Sequence, residues 1–241
     1  MVNLTDRQIK ILKAIIDEYI NSALPVGSVT IEKKYGLGIS PATIRNEMVN
    51  LTENGFLKKV HSSSGRVPTP MALKYYVNNL MKEQQLSLAE EVSVKEKVWD
   101  YRHEIDQLLR AVTRELAAKT KELAVATTDQ GDIYTAGIAN ILDFPEFFDI
   151  DLTKSLLSYL DETDYWWDMI NRSDSDEPLG ILLGTDLGEI FEPCGLIYRR
   201  FEAGERKGFV GVIGPARVNF GRVFPTVRYF GELMDEIFRT W

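Results

Sequence analysis

The chain has 241 residues, a net charge of −8 at pH 7, 44% hydrophobic residues and 27% charged residues, proportions typical of a globular protein in water. The sequence has no apolar run long enough for a membrane span, and its polar start argues against a secretory leader. One cysteine and two histidines are too few for a disulfide framework or a Cys- and His-based metal centre, and they form no nucleophile–base pair. We therefore expect a cytoplasmic protein that is not an enzyme, has no metal or cofactor, and does not associate with membranes.

The charge is distributed unevenly along the chain. Residues 1–85 contain 11 Lys and Arg against 7 Asp and Glu, a net charge of +4. Residues 86–241 contain 17 Lys and Arg against 29 Asp and Glu, a net charge of −12. This asymmetry suggests two parts with different partners, of which only the basic part suits a polyanion.

The first 85 residues show the element order of a winged helix–turn–helix, a DNA-binding domain. Apolar residues at helical spacing follow Thr5, and Ser40–Pro41 has the form of an N-cap with proline at the first helical position. The predicted elements are a first helix after Thr5, a short helix over about 29–36, a third helix from Ser40 to about Asn54, and strands at Phe56–His61 and Arg66–Val67.

The rest of the chain is predicted to be a helical linker, 86–122, followed by a mixed domain, 123–241. This makes the fold class α+β. Apolar positions between Val94 and Leu116 recur three, four or seven residues apart. This stripe is either a dimerisation surface or a surface that packs on the carboxy-terminal domain, and the spacing leaves both open. Later segments predict strands at Leu123–Thr128 and Ile133–Ala136, a helix over Thr153–Ile170, and a closing helix over Val218–Trp241.

The third helix carries the side chains that suit base recognition. With Ile44, Met48 and Leu51 facing inward, its outer face is small or polar. Arginine pairs with guanine, asparagine with adenine, and Ala or Thr methyl groups contact thymine, while hydroxyls at the amino end suit a phosphate. The candidates are Ser40, Thr43, Arg45, Asn46 and Asn50. A solvated helix face is the alternative.

The predicted hairpin concentrates hydrogen-bond donors around a glycine. Such a wing can straddle a DNA backbone, and its alternative is an ordinary surface turn. For His61 the alternative is a hydrogen-bonded strand histidine. The candidate DNA contacts here are Lys58, Lys59, His61, Ser62, Ser64 and Arg66.

Residues 4–77 resemble the DNA-binding domain of the heat-inducible transcription repressor HrcA family. The resemblance rests on Ser40-Pro-Ala-Thr-Ile-Arg-Asn-Glu-Met48 and Ser64-Gly-Arg-Val-Pro-Thr69, after Pro25-Val-Gly-Ser28. Downstream, Gly137-x-x-Asn140-x-Leu142-x-x-Pro145-Glu-Phe147 and Gly211-Val-Ile-Gly-Pro-x-Arg217 are similar to that family's GAF-like carboxy-terminal domain.

The resemblance implies a stress-response repressor that binds an inverted-repeat operator upstream of chaperone genes as a homodimer and depends on the GroE chaperonin. Thr43, Arg45, Asn46 and Asn50 would then contact the major groove. Ser40, Lys58, Lys59 and Arg66 would contact phosphates.

The chain departs from the family in length. It is about a third shorter than a typical member, and we place the missing length, which includes a dimerising insert, between Thr127 and Tyr134. The GAF-like domain is therefore expected to be truncated. Two alternatives stay open: a ligand-sensing regulator with a pocket at Tyr198, Phe201 and Phe209, or a protein-interaction module that has lost DNA binding.

Overall fold

The computed structural model describes residues 4–60, 65–171 and 177–240, so the predicted contacts His61, Ser62 and Ser64 lie outside the described residues. The chain divides into two compact units, Met1–Lys82 and Glu83–Trp241. Helices come first and an antiparallel five-stranded sheet follows, which confirms the α+β class. None of the described helices combines the length and apolar character that a membrane crossing requires.

The first unit consists of helices around a small hairpin. Its helices α1 and α3 begin at side-chain caps, since Thr5 accepts from the amide of Gln8 and Ser40 accepts from the amide of Thr43, satisfying amides that have no partner within the helix. The elements in chain order are α1 (Asp6–Ser22), α2 (Ser28–Tyr35), α3 (Pro41–Glu53), β1 (Leu57–Lys59), β2 (Arg66–Pro68) and α4 (Pro70–Asn79).

The hairpin of the first unit is tied to the start of α2 through the backbone. Val26 and Arg66 form an antiparallel bridge, with N···O distances of 2.8 and 2.9 Å. A Cβ on Gly65 would lie 2.4 Å from the carbonyl oxygen of Val26. Only glycine therefore allows the hairpin to approach this closely.

The second unit is a sheet covered by helices on both faces. The strand order is β4-β3-β7-β6-β5, antiparallel throughout. Its elements, with short 3₁₀ helices between them, are α5 (Leu88–Trp99), α6 (Ile105–Thr120), β3 (Leu123–Thr128), β4 (Ile133–Ala136), α7 (Ile150–Tyr159), α8 (Thr163–Asn171), β5 (Leu179–Leu183), β6 (Cys194–Ala203), β7 (Arg206–Pro215) and α9 (Phe220–Phe238). Alternate strand residues face α7 and α8 on one side and α6 and α9 on the other.

The apolar stripe of the 86–122 segment is internal packing. The segment forms α5 and α6, and Val94, Val98, Leu109, Val112 and Leu116 are fully buried in the second unit. This burial favours packing on the carboxy-terminal domain over a dimerisation surface along the stripe.

The ligand pocket predicted at three aromatic residues is not formed by them. Tyr198 and Phe209 belong to the core on the α7 and α8 side, whereas Phe201 packs against Phe238 of α9. Positions 198 and 201 differ by an odd number, so their side chains leave the strand on opposite faces. All three rings are buried among neighbouring side chains, and the ring of Tyr198 fills the space above Gly180.

A carboxylate is buried between α6 and β3. Glu122 is 4% exposed, and its Oε2 has no hydrogen-bond partner among the residues that the structure describes. Glu146 and Arg217 form a neighbouring ion pair, with Arg217 Nε 2.6 Å from Glu146 Oε1. The pKa of Glu122 is raised to about 8, mainly by burial; the charge of Arg217 opposes this rise and the charge of Glu146 adds to it.

We expect Gly65→Ala to lower the free energy of unfolding of the first unit by about 1–3 kcal/mol, because the new methyl group collides with the Val26 backbone. The measurement is thermal or urea unfolding. Gly27→Ala is the control, since a Cβ there meets its nearest atom only at 4.0 Å. Equal losses in the two variants would contradict this account of the hairpin.

Glu122 makes the stability of the second unit depend on pH. A carboxyl whose pKa is raised in the folded state releases its proton more easily when unfolded. Its contribution is therefore complete below the ordinary pKa of about 4.5 and is lost as pH rises towards 8.

In the wild type, we expect the free energy of unfolding to decline between pH 5 and pH 8, in part because the contribution of Glu122 is lost. Glu122→Gln should show a smaller decline over this range, as measured by urea unfolding. Glu202→Gln, at an exposed carboxylate, should leave the wild-type decline unchanged. The same decline in Glu122→Gln as in the wild type would exclude this role for Glu122.

Candidate nucleic-acid interface

The orientation of α3 is set by its inward face. Ile44 and Leu51 are fully buried and Met48 is nearly so, as the spacing predicts. Burial of each large apolar side chain stabilises the helix in place by about 1.5–3 kcal/mol. The opposite face of α3 is therefore held towards solvent.

The outward face of α3 is open. Arg45, Asn46 and Asn50 are exposed, together with Ala42 and Val49. Within the described part of the chain, the side chains of Arg45 and Asn46 make no hydrogen bond or ion pair. Their donors and acceptors are thus available to a ligand, in the combination that recognises base edges.

The amino end of α3 presents two hydroxyls. Ser40 Oγ accepts from the amide of Thr43 at 3.2 Å and lies 3.0 Å from Thr43 Oγ1. One bond between the two hydroxyls uses one hydrogen, so one donor remains beside the positive end of the helix dipole.

The hairpin contributes two exposed cations and one that is held against α3. Lys58 and Lys59 are exposed on β1. Arg66 Nε donates to Thr52 Oγ1 at 2.8 Å, and Thr52 in turn donates to the carbonyl of Met48. The guanidinium of Arg66 thus lies beside the last turn of α3, and its predicted phosphate contact stays a prediction.

The charge of the first unit favours an anionic ligand. Residues 1–82 contain 11 Lys and Arg against 6 Asp and Glu. Asp17, Glu18 and Glu47 are paired with cations inside the unit. The acidic groups outside these pairs are outnumbered by exposed lysine and arginine side chains, which gives the unit a net positive field.

The buried position of Glu47 and its hydrogen bonds to α1 were not predicted from the sequence. Glu47 is 5% exposed and accepts hydrogen bonds from Arg7 and Gln8 of α1. Glu47 follows Ile44 by three residues, and residues at this spacing lie on the same face of a helix. The spacing alone could therefore have predicted that Glu47 faces inward.

Comparison with known proteins identifies relatives over nearly the whole chain. The family model described as HrcA protein C terminal domain matches residues 48–224. A heat-inducible transcription repressor HrcA from Desulforamulus reducens is 26% identical, with 99% of each chain covered. The protein of the same name from Clostridium acetobutylicum is 46% identical over 121 residues, which are 50% of this chain and 35% of the relative.

The chain is shorter than this relative. The alignment with the Desulforamulus protein extends over 344 positions, whereas this chain has 241 residues, so about a hundred positions of the relative have no counterpart here. A solved structure described as a hypothetical protein shares the fold, with a TM-score of 0.75, 16% identity and 99% of both chains covered.

The family match covers well over half of the chain and is supported by relatives that align from end to end. The curated members are named as transcription repressors, which confirms the expectation that this chain is not an enzyme. The chain belongs to the HrcA family.

Proposed function

We propose that this protein is a sequence-specific repressor that binds double-stranded DNA through α3 and the β1–β2 hairpin. The observation that carries the proposal is the open face of Arg45 and Asn46, in a unit of net positive charge. On this proposal the first unit is a winged helix within domain 1–85, α3 enters the major groove, and the hairpin is the wing.

The base and phosphate contacts divide by chemistry. Arg45 pairs with guanine, and Asn46 and Asn50 with adenine, while Thr43 lies at the edge of the same groove. Ser40, Lys58, Lys59 and Arg66 contact phosphates, which position the protein without selecting a sequence. His61, Ser62 and Ser64 would complete the wing.

The relatives' name supports heat-inducible repression as the more specific proposal, and the family resemblance adds the operator, the homodimer and the chaperonin. We infer that the protein represses heat-shock genes in the cytoplasm, as a homodimer on an inverted-repeat operator, and that the GroE chaperonin is a partner. A two-fold operator requires a two-fold protein. Residues 123–241 would be a shortened GAF-like domain, and the helical segment 86–122 would pack on it within the second unit.

The division of roles predicts different effects for two exposed cations. Arg45→Ala should weaken binding to a duplex selected from a random library by about 1–3 kcal/mol and have little effect on a random duplex. Lys59→Ala should weaken binding to both duplexes similarly, because it loses only a phosphate contact. Fluorescence anisotropy titrations measure both.

Similar behaviour of the two variants on both duplexes would contradict the assigned roles. Absence of wild-type binding to any duplex would instead favour the protein-interaction module. The ligand-sensing alternative receives no support from the buried rings of Tyr198, Phe201 and Phe209.

A further inference from the structure

A buried carboxylate lies directly behind the outward face of α3. Glu47 Oε1 accepts from Arg7 Nε at 2.7 Å, and the Arg7 Nη2 atom is also in contact with it. Glu47 Oε2 accepts from Gln8 Nε2 at 3.1 Å and from Asn50 Nδ2 at 3.4 Å. The carboxylate therefore connects α1 to Asn50, a residue of the outward face of α3. We call this face, formed by Arg45, Asn46 and Asn50, the reading face.

Glu47 is ionised at neutral pH. Burial raises the pKa of the carboxyl, but hydrogen bonds from Arg7, Gln8 and Asn50 and the charge of Arg7 outweigh burial and lower it. An ionised carboxylate is an acceptor only. The atom of Asn50 that faces Glu47 must accordingly be the amide nitrogen.

This constraint fixes which way the Asn50 amide points. One N–H of Asn50 is directed back to Glu47, and its Oδ1 and second N–H have no partner among the described residues, which leaves them for a partner outside the protein. Asn50 is exposed, so this acceptor and donor are accessible. An amide that offers one acceptor and one donor side by side matches N6–H and N7 of adenine in the major groove.

We propose that Glu47, held by Arg7 and Gln8, is a positioning residue that presents the Asn50 amide to an adenine in each half-site. The inference rests on the proposed DNA binding and adds a source of specificity to it. Glu47 itself contacts no base. Its effect is on the orientation of a side chain that does.

The test is selection of bound duplexes from a randomised library, followed by sequencing, for the wild type and for Glu47→Gln, Asn50→Ala and Glu53→Gln. The wild type should prefer adenine at one position of each half-site. Asn50→Ala should lower this preference, measured as the ratio of adenine to the other bases, by about 5- to 100-fold. Glu47→Gln should relax the same position, because a neutral amide can face Asn50 with either its oxygen or its nitrogen. Glu53→Gln, at an exposed carboxylate on the same helix, should keep the wild-type profile.

A purely structural role for Glu47 gives a different result. Weaker binding by Glu47→Gln at all sequences, with the adenine preference intact at the Asn50 position, would overturn the inference. A wild type without any sequence preference would overturn the proposed function as well, so the two failures are distinguishable.

Arg7→Gln is a second variant that tests the same inference if Glu47→Gln does not fold. The Arg7 side chain is 56% exposed, and its replacement removes the charge that holds Glu47 while leaving Gln8 and Asn50 in place. We expect the same position to relax, to a smaller degree. An unchanged profile in Arg7→Gln would contradict the positioning role.

Discussion

Packing of the inward face of α3 is the constraint on which the rest of the candidate site depends. Ile44, Met48 and Leu51 hold the helix in the core of the first unit, and Arg7 pairs with the only charged residue on that face, Glu47, within the described residues. With these groups satisfied inside, Arg45 and Asn46 are open to solvent and make no side-chain hydrogen bond or ion pair with the described residues. An outward face of this composition is therefore accessible, as the proposed DNA contact requires.

The hairpin and α3 behave as one assembly. Arg66 links β2 to Thr52 in α3, and its backbone pairs with Val26 ahead of α2. Displacement of the hairpin would therefore disturb α3 as well. Gly65 lies at the point where these backbones approach closely, so a side chain there would displace the hairpin or the Val26 segment.

The sequence predicted most of the fold where local signals were strong, and failed where they were not. The strands Leu123–Thr128 and Ile133–Ala136 were predicted with the observed bounds, whereas Thr153–Ile170 is two helices, α7 and α8. The closing helix continues through Pro225, whose ring leaves the Gly221 carbonyl without its helical partner. The amide of Gln84 donates to that carbonyl at 2.7 Å, a long-range contact that periodicity does not reveal.

The candidate site was predicted less completely than the fold. Helical spacing placed Arg45, Asn46 and Asn50 outward and Ile44 inward, but the partner of Glu47 lies forty residues away on α1. The hydrogen bond from Arg66 in the hairpin to Thr52 in α3 was likewise not predicted from the sequence. Pattern analysis identifies faces, whereas contacts between distant segments require the three-dimensional arrangement.

The most direct test of the central claim is the salt dependence of binding to a library-selected duplex, measured beside a random duplex. An open, cationic reading face predicts tighter binding to the selected duplex, and a logarithm of the binding constant that falls linearly with the logarithm of salt concentration for both. Binding that is independent of salt, or equal for the two duplexes, would contradict the account.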